Sequence, residues 1–171
     1  MKNNMYLETN LSKIKHLASI RENENIRFRT FLKGKEEDKV DSIVHRLHDE
    51  ITKQIDCTLC GNCCSKLKPE LHKEDIARLA QLENCTLEHY QNIYCEKDEF
   101  GETYLKTTPC RYLEGRICSI YENRPRECRH FPYTNEEGFT SRLWGMINSY
   151  AICPIVFNLM ERLKVELRFR R

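Results

Sequence analysis

Residues 57–64 read CTLCGNCC, four cysteines in eight positions. Neighbouring free thiols oxidise and cross-link, so the fold of this region turns on what these sulfurs hold. Two cysteines separated by two residues can bend around one ion in a tight turn, and Gly61 supplies the backbone freedom for thiolates and amides to converge there. Several thiolates a few ångströms apart repel one another in a low-dielectric site, and a cation of comparable charge makes them tolerable. Without metal they should be mostly protonated. Tight-turn spacing, rather than helical or strand spacing, is the mark of a metal site.

Working outward, Cys63 extends the run to C-x2-C-x2-C, the pattern of bacterial iron–sulfur proteins in which a remote cysteine before proline completes a ligand set. Cys153, followed by Pro154, is the candidate for that remote place. Cys110, Cys118 and Cys128 lie between. On an extended backbone adjacent side chains point to opposite sides. The Cys63–Cys64 doublet therefore either serves two metal centres or pairs one ligand with one packed thiol. Cys85 and Cys95 have no partner at ligand spacing and read as packed thiols, since free cysteine behaves as a small hydrophobe.

The totals agree with this picture. A chain of 171 residues, 40% of them hydrophobic, suffices for one domain with some extra helix at an end. Its 28 basic and 26 acidic residues leave a formal charge of +2, too balanced for the electrostatic footprint of a nucleic-acid or anionic-membrane binder. The opening MKNNMYLETN is polar and lacks the apolar core of a secretory signal, and no apolar run approaches the roughly 18 residues of a spanning helix. A cytoplasmic protein is the expectation. In that reducing compartment ten cysteines read as metal ligands or redox groups rather than as a disulfide framework.

Hydrophobic periodicity sets the elements. Val40, Ile43, Val44, Leu47 and Ile51 mark one face of a helix beginning near Glu36, and Gly34 separates it from an earlier helix over Leu11, Ile14 and Leu17. These N-terminal helices either bury their stripe on the cysteine-rich part or offer it to an unknown protein partner. Ile76, Leu79, Ala80 and Leu82 predict a further helix with acidic residues in its first turn, and Thr86 is an N-cap for a short one after it. In ETYLKTTPCRYLEGRICSIYE, β-branched and aromatic residues flank LEGR, predicting a hairpin that turns at Glu114 and Gly115. Pro125, Pro132 and Gly138 mark the following stretch as loop, and Pro154 opens a C-terminal helix over Ile155, Val156, Leu159, Met160, Leu163 and Val165. The expected fold is mostly α with a small β-hairpin: a helical extension at 1–55 packed on a compact, metal-organised cysteine-cluster domain at 56–171.

CTLCGNCC, then PCRYLEGRICSIYENRPRECRHFP and a later CP, together resemble the YkgJ-like CxxCxxCC proteins of bacteria and archaea, described as zinc- or iron-chelating. The resemblance runs from Cys57 to the helix after Pro154. It implies metal ligation by Cys57, Cys60, Cys63, Cys64, Cys110, Cys118, Cys128 and Cys153, and leaves the metal open. A related cysteine region occurs in the considerably longer flagellin lysine methylases. This chain lacks the C-x3-C-x2-C run of radical S-adenosylmethionine enzymes, because the third position after Cys60 and Cys64 is Leu67. It also has no glycine-rich nucleotide fingerprint.

Three functions compete. The first is an iron–sulfur protein handling electrons, in which Arg124, Arg126 and Arg129 around Cys128 donate to sulfur and tune the centre. For those arginines, pairing with Glu122 and Glu127 or an anionic substrate pocket are the alternatives. The second is a structural zinc module of closed four-thiolate sites whose helices bind a partner. The third is a metal-dependent enzyme of unknown substrate with His130 as base; His130 otherwise reads as supporting or packing. Tyr112, Tyr121, Phe131 and Tyr133 are expected to wall a small core around the metal.

Overall fold

The computed structural model describes residues 6–170. Helices occupy α1 (Leu11–Ile20), α2 (Glu22–Lys33), α3 (Glu37–Thr52), α4 (Lys73–Leu82), α5 (Leu87–Tyr94), α6 (Arg126–His130), α7 (Leu143–Tyr150) and α8 (Pro154–Glu166). Strands β1 (Cys95–Lys97) and β2 (Thr103–Leu105) form one antiparallel pair, β3 (Leu113–Glu114) and β4 (Ile117–Cys118) another. The described chain is thus mostly α with small β-hairpins, as the periodicity predicts. It clusters into two compact units. One joins the chain through Asp56 to the chain from Pro132 onward; the other is Cys57–Phe131.

In the first unit, the buried stripe Val40, Val44, Leu47 and Ile51 of α3 packs chiefly on α8. Pro154 starts α8, where its missing N–H would have had no helical partner anyway, and Ile155, Val156, Leu159, Met160 and Leu163 are buried. The helix also buries a cation: Lys164 is 1% exposed. Its ammonium donates to Glu24 Oε1 at 2.7 Å, Asn25 Oδ1 at 2.6 Å and Glu161 Oε1 at 2.7 Å, so each of its three protons has an acceptor, as a desolvated cation requires. The helix expected before Gly34 is two helices. Arg21 leaves helical geometry between them, and its guanidinium pairs with Glu161 at 2.5 Å, a tertiary contact that local periodicity does not carry.

In the second unit, the core is Leu71, Ile76, Leu79, Ala80, Tyr90, Leu105 and Tyr112. Glu74 and Asp75 occupy the first turn of α4, and the Thr86 hydroxyl accepts from the His89 amide at 3.2 Å to cap α5. Three sequence expectations are corrected here. Thr103–Leu105, part of the β-branched stretch before LEGR, pairs instead with Cys95–Lys97, with Cys95 opposite Leu105. Asp98 closes that turn, its Oδ1 accepting from the Phe100 and Glu102 amides at 2.9 Å each. The LEGR hairpin itself turns at Gly115 and Arg116, one residue later than expected, because Gly115 takes the left-handed φ of 63° that such a turn demands first. The stretch marked as loop by Pro125 contains α6. Asp75 Oδ1 accepts from the Arg126 amide at 3.1 Å, so a carboxylate remote in sequence caps this short helix.

Candidate metal centre

The centre is built on turns. Cys57 opens a 3-10 turn over Cys57–Leu59, and the Cys60 amide donates back to the Cys57 carbonyl at 3.2 Å. Gly61 follows at φ 62°, where a Cβ would lie 2.5 Å from the Arg116 carbonyl oxygen. No other residue fits, because the cysteine loop lies directly on the backbone of the β3–β4 turn. The Leu67 amide then donates to the Cys63 carbonyl at 2.8 Å, so the doublet sits on turned rather than extended backbone. The expectation that its side chains diverge is therefore corrected: the Cys63 and Cys64 sulfurs lie 3.9 Å apart.

Other segments bring thiols to this turn. The Cys110 amide donates to the Cys64 carbonyl at 2.8 Å, and the Leu113 amide donates to the Cys110 carbonyl at 3.0 Å. The hairpin returns Cys118 to a place opposite Leu113. A 3-10 turn over Tyr121–Asn123 leads to α6, which carries Cys128.

Arginines hold the path to Cys128, and they do so through the backbone. Arg124 Nη1 donates to the Tyr121 carbonyl at 2.6 Å while its guanidinium lies 3.7 Å from the Tyr121 ring centre. Arg129 donates to the carbonyls of Arg124 at 3.0 Å and Glu122 at 2.9 Å, the latter through the main chain rather than the carboxylate. Arg78, which no sequence motif marks, donates to the carbonyls of Asn123 at 3.3 Å and Arg124 at 3.2 Å and pairs with Asp75. The Arg126 and His130 side chains are exposed.

Electrostatics distinguish the thiols. The hydrogen bond from Cys63 lowers Cys64 to about 7, against burial, which raises it. Burial pushes Cys128 up to about 12, and the like charges of Cys64, Cys110 and Cys118 add to it. Cys110 and Cys118 are raised in the same way, burial first and then Cys64 among the like charges. Arg124 offsets part of this at Cys118 and Cys128. Beside Cys110, Arg111 donates to the Tyr112 hydroxyl at 2.9 Å and pairs with Glu83, and the Tyr112 and Tyr90 hydroxyls are 2.9 Å apart. Burial raises both phenols, Tyr90 to about 12. Tyr112 thus lies in the buried core of this unit, with Tyr90 as a partner the sequence did not mark.

Among the described residues, no three His, Cys, Asp or Glu side chains already form a group that could hold an ion. Thiols are nevertheless the donors that suit a soft cation, which would deprotonate Cys110, Cys118 and Cys128 against the burial that raises them. The family model "CxxCxxCC: Putative zinc- or iron-chelating domain" matches residues 56–145. The chain belongs to this CxxCxxCC family. Searches of curated proteins and of solved structures each returned no match.

The CxxCxxCC match takes in Cys57 through Cys128 and ends before Cys153. Cys153 belongs to the first unit, where it is buried and precedes α8. Two cysteines inside the matched stretch have packing roles. Asn84, at φ 53°, ends α4, and the Cys85 amide donates to the Ala80 carbonyl at 3.0 Å, so Cys85 closes the helix terminus against the core. Cys95 lies on β1 and packs on the same core. No described helix is long and apolar enough to cross a membrane.

Proposed function

We propose that this CxxCxxCC protein holds iron in iron–sulfur form and exchanges electrons through it, with ligands drawn from Cys57, Cys60, Cys63, Cys64, Cys110, Cys118 and Cys128. The observation that carries the reading is the meeting of thiol-bearing segments far apart in sequence, anchored where the Cys110 amide meets the Cys64 carbonyl at 2.8 Å. Thiolate sets select zinc or iron–sulfur clusters, and the C-x2-C-x2-C opening is a cluster-binding pattern. When bound, such a centre supplies reversible electron exchange. The chain's own residues prepare for it: Gly61 lets the cysteine turn reach the hairpin, Arg78 and Arg129 fix the carbonyls before α6, and Arg124 places positive charge near Cys118 and Cys128. Protein purified without oxygen should be brown and contain iron with acid-labile sulfide. Colourless protein containing only zinc would sink this assignment.

A structural zinc module is the second reading, favoured by the small core of the cysteine-bearing unit, whose seven buried residues are extended by thiols packed at their edge. A metal would there supply cohesion that apolar burial does not. Binding and folding are then coupled. Release of zinc by a chelator with Cys57–Phe131 still folded would refute it.

A further inference from the structure

We propose that the chain associates with a second copy of itself, the β1–β2 turn of one copy docking on the exposed face shared by α2 and α7 of the other. The tip of that turn is DEFGE, residues 98–102, three acids around one aromatic. Phe100 is 81% exposed there, yet its backbone is held. Asp98 Oδ1 accepts from the Phe100 and Glu102 amides, the Asp98 amide donates to the Glu102 carbonyl at 3.0 Å, and the Gly101 amide donates to the Asp98 carbonyl at 3.1 Å. An aromatic ring carried on a closed turn presents apolar area to a partner and gives up little backbone freedom on binding, the character of an interface anchor. Glu99 and Glu102 are exposed on either side of it.

The opposite charge lies on α2. Residues 25–35 contain Arg27, Arg29, Lys33 and Lys35 and no acid. Ile26, Arg29 and Lys33 follow one another at three and four residues, which places them on one ridge of the helix, and Ile26 and Lys33 are exposed. The Arg29 guanidinium lies 4.4 Å from the centre of the Trp144 ring of α7, and Trp144 is 55% exposed. Among the described residues Arg29 has no ion pair, and its Nε is buried without an acceptor. A guanidinium laid on tryptophan with no carboxylate at its edge is half of a carboxylate site on an apolar floor. The hairpin tip carries the other half: Phe100 to cover Trp144 and Ile26, Glu99 and Glu102 to meet Arg29 and Lys33. Charge of opposite sign on the two patches steers the encounter and fixes its register. The patches differ, so the contact is heterologous and closes a dimer when it is made reciprocally.

Sedimentation equilibrium of the full-length wild-type chain tests this, in oxygen-free reducing buffer so that thiols do not cross-link. The average mass should rise above that of the monomer with concentration and fall back with added salt. Phe100→Ala and Trp144→Ala should each raise the dissociation constant by about 30-fold or more, the loss of a hot-spot aromatic, with the far-ultraviolet circular dichroism unchanged because both rings are exposed. Glu99→Arg and Lys33→Glu should each weaken self-association, and an equal mixture of those two variants should associate more tightly than either alone, because the basic tip of one then meets the acidic ridge of the other. A wild-type chain that stays monomeric at every concentration, or an association that survives Phe100→Ala and Trp144→Ala combined, would overturn the proposal. The contact uses none of the candidate ligands, so either result leaves the metal-binding reading standing.

Discussion

Gly61 shows how much one residue decides. At φ 62° with the Arg116 carbonyl 2.5 Å from where a Cβ would stand, Gly61→Ala adds backbone strain to a clash with immovable main chain. A loss of roughly 2–4 kcal/mol is expected, in the range of strained special positions, measurable by urea unfolding. The need for freedom at this glycine was legible in CTLCGNCC; the atom it makes room for was not. The thiols make a second prediction. In metal-free protein Cys64 ionises near 7 and Cys128 near 12, so alkylation at Cys64 should climb as pH rises through 7 while Cys128 stays unreactive, read by mass spectrometry. The sign for stability follows. An unfolded thiol ionises at about 8.5, whereas folded Cys128 keeps its proton to about 12, so its contribution is full below the first value and is lost as pH rises through that window. Cys64 acts oppositely, contributing at alkaline pH and losing that contribution as pH falls through about 7.

Elements were legible where the pattern was local. The α3 stripe, the Thr86 cap, the acidic start of α4 and the Pro154 opening of α8 are all written in short stretches of sequence. What escaped were elements whose boundaries depend on remote partners: α6, capped by Asp75, the β1–β2 pair, and the break at Arg21. Within α8, Lys164 is the position to test. Its ammonium satisfies Glu24, Asn25 and Glu161, so Lys164→Met leaves buried acceptors without their cation and should cost about 3–5 kcal/mol in chemical denaturation.

At the scale of the whole molecule, five of the eight helices among the described residues lie in the first unit, and the cysteine run lies in the second with its small core. Removing metal anaerobically should therefore spare most of the far-ultraviolet helical signal while releasing the environment of Tyr90 and Tyr112, seen as loss of their near-ultraviolet signal and faster amide exchange across Cys57–Phe131. Equal loss of both signals would contradict it. The sequence by itself determined the mostly helical class, the metal-ligand character of the cysteine run and the CxxCxxCC family, because these rest on short-range periodicity and on spacing within a few residues. Only the tertiary structure decided that the doublet's sulfurs lie side by side, that Cys110 is tied to Cys64, that the arginines clamp carbonyls, and that Thr103–Leu105 pairs with Cys95–Lys97. Each of those depends on groups meeting across turns and on which buried donors find which acceptors, and neither is encoded in the neighbouring residues of any one stretch.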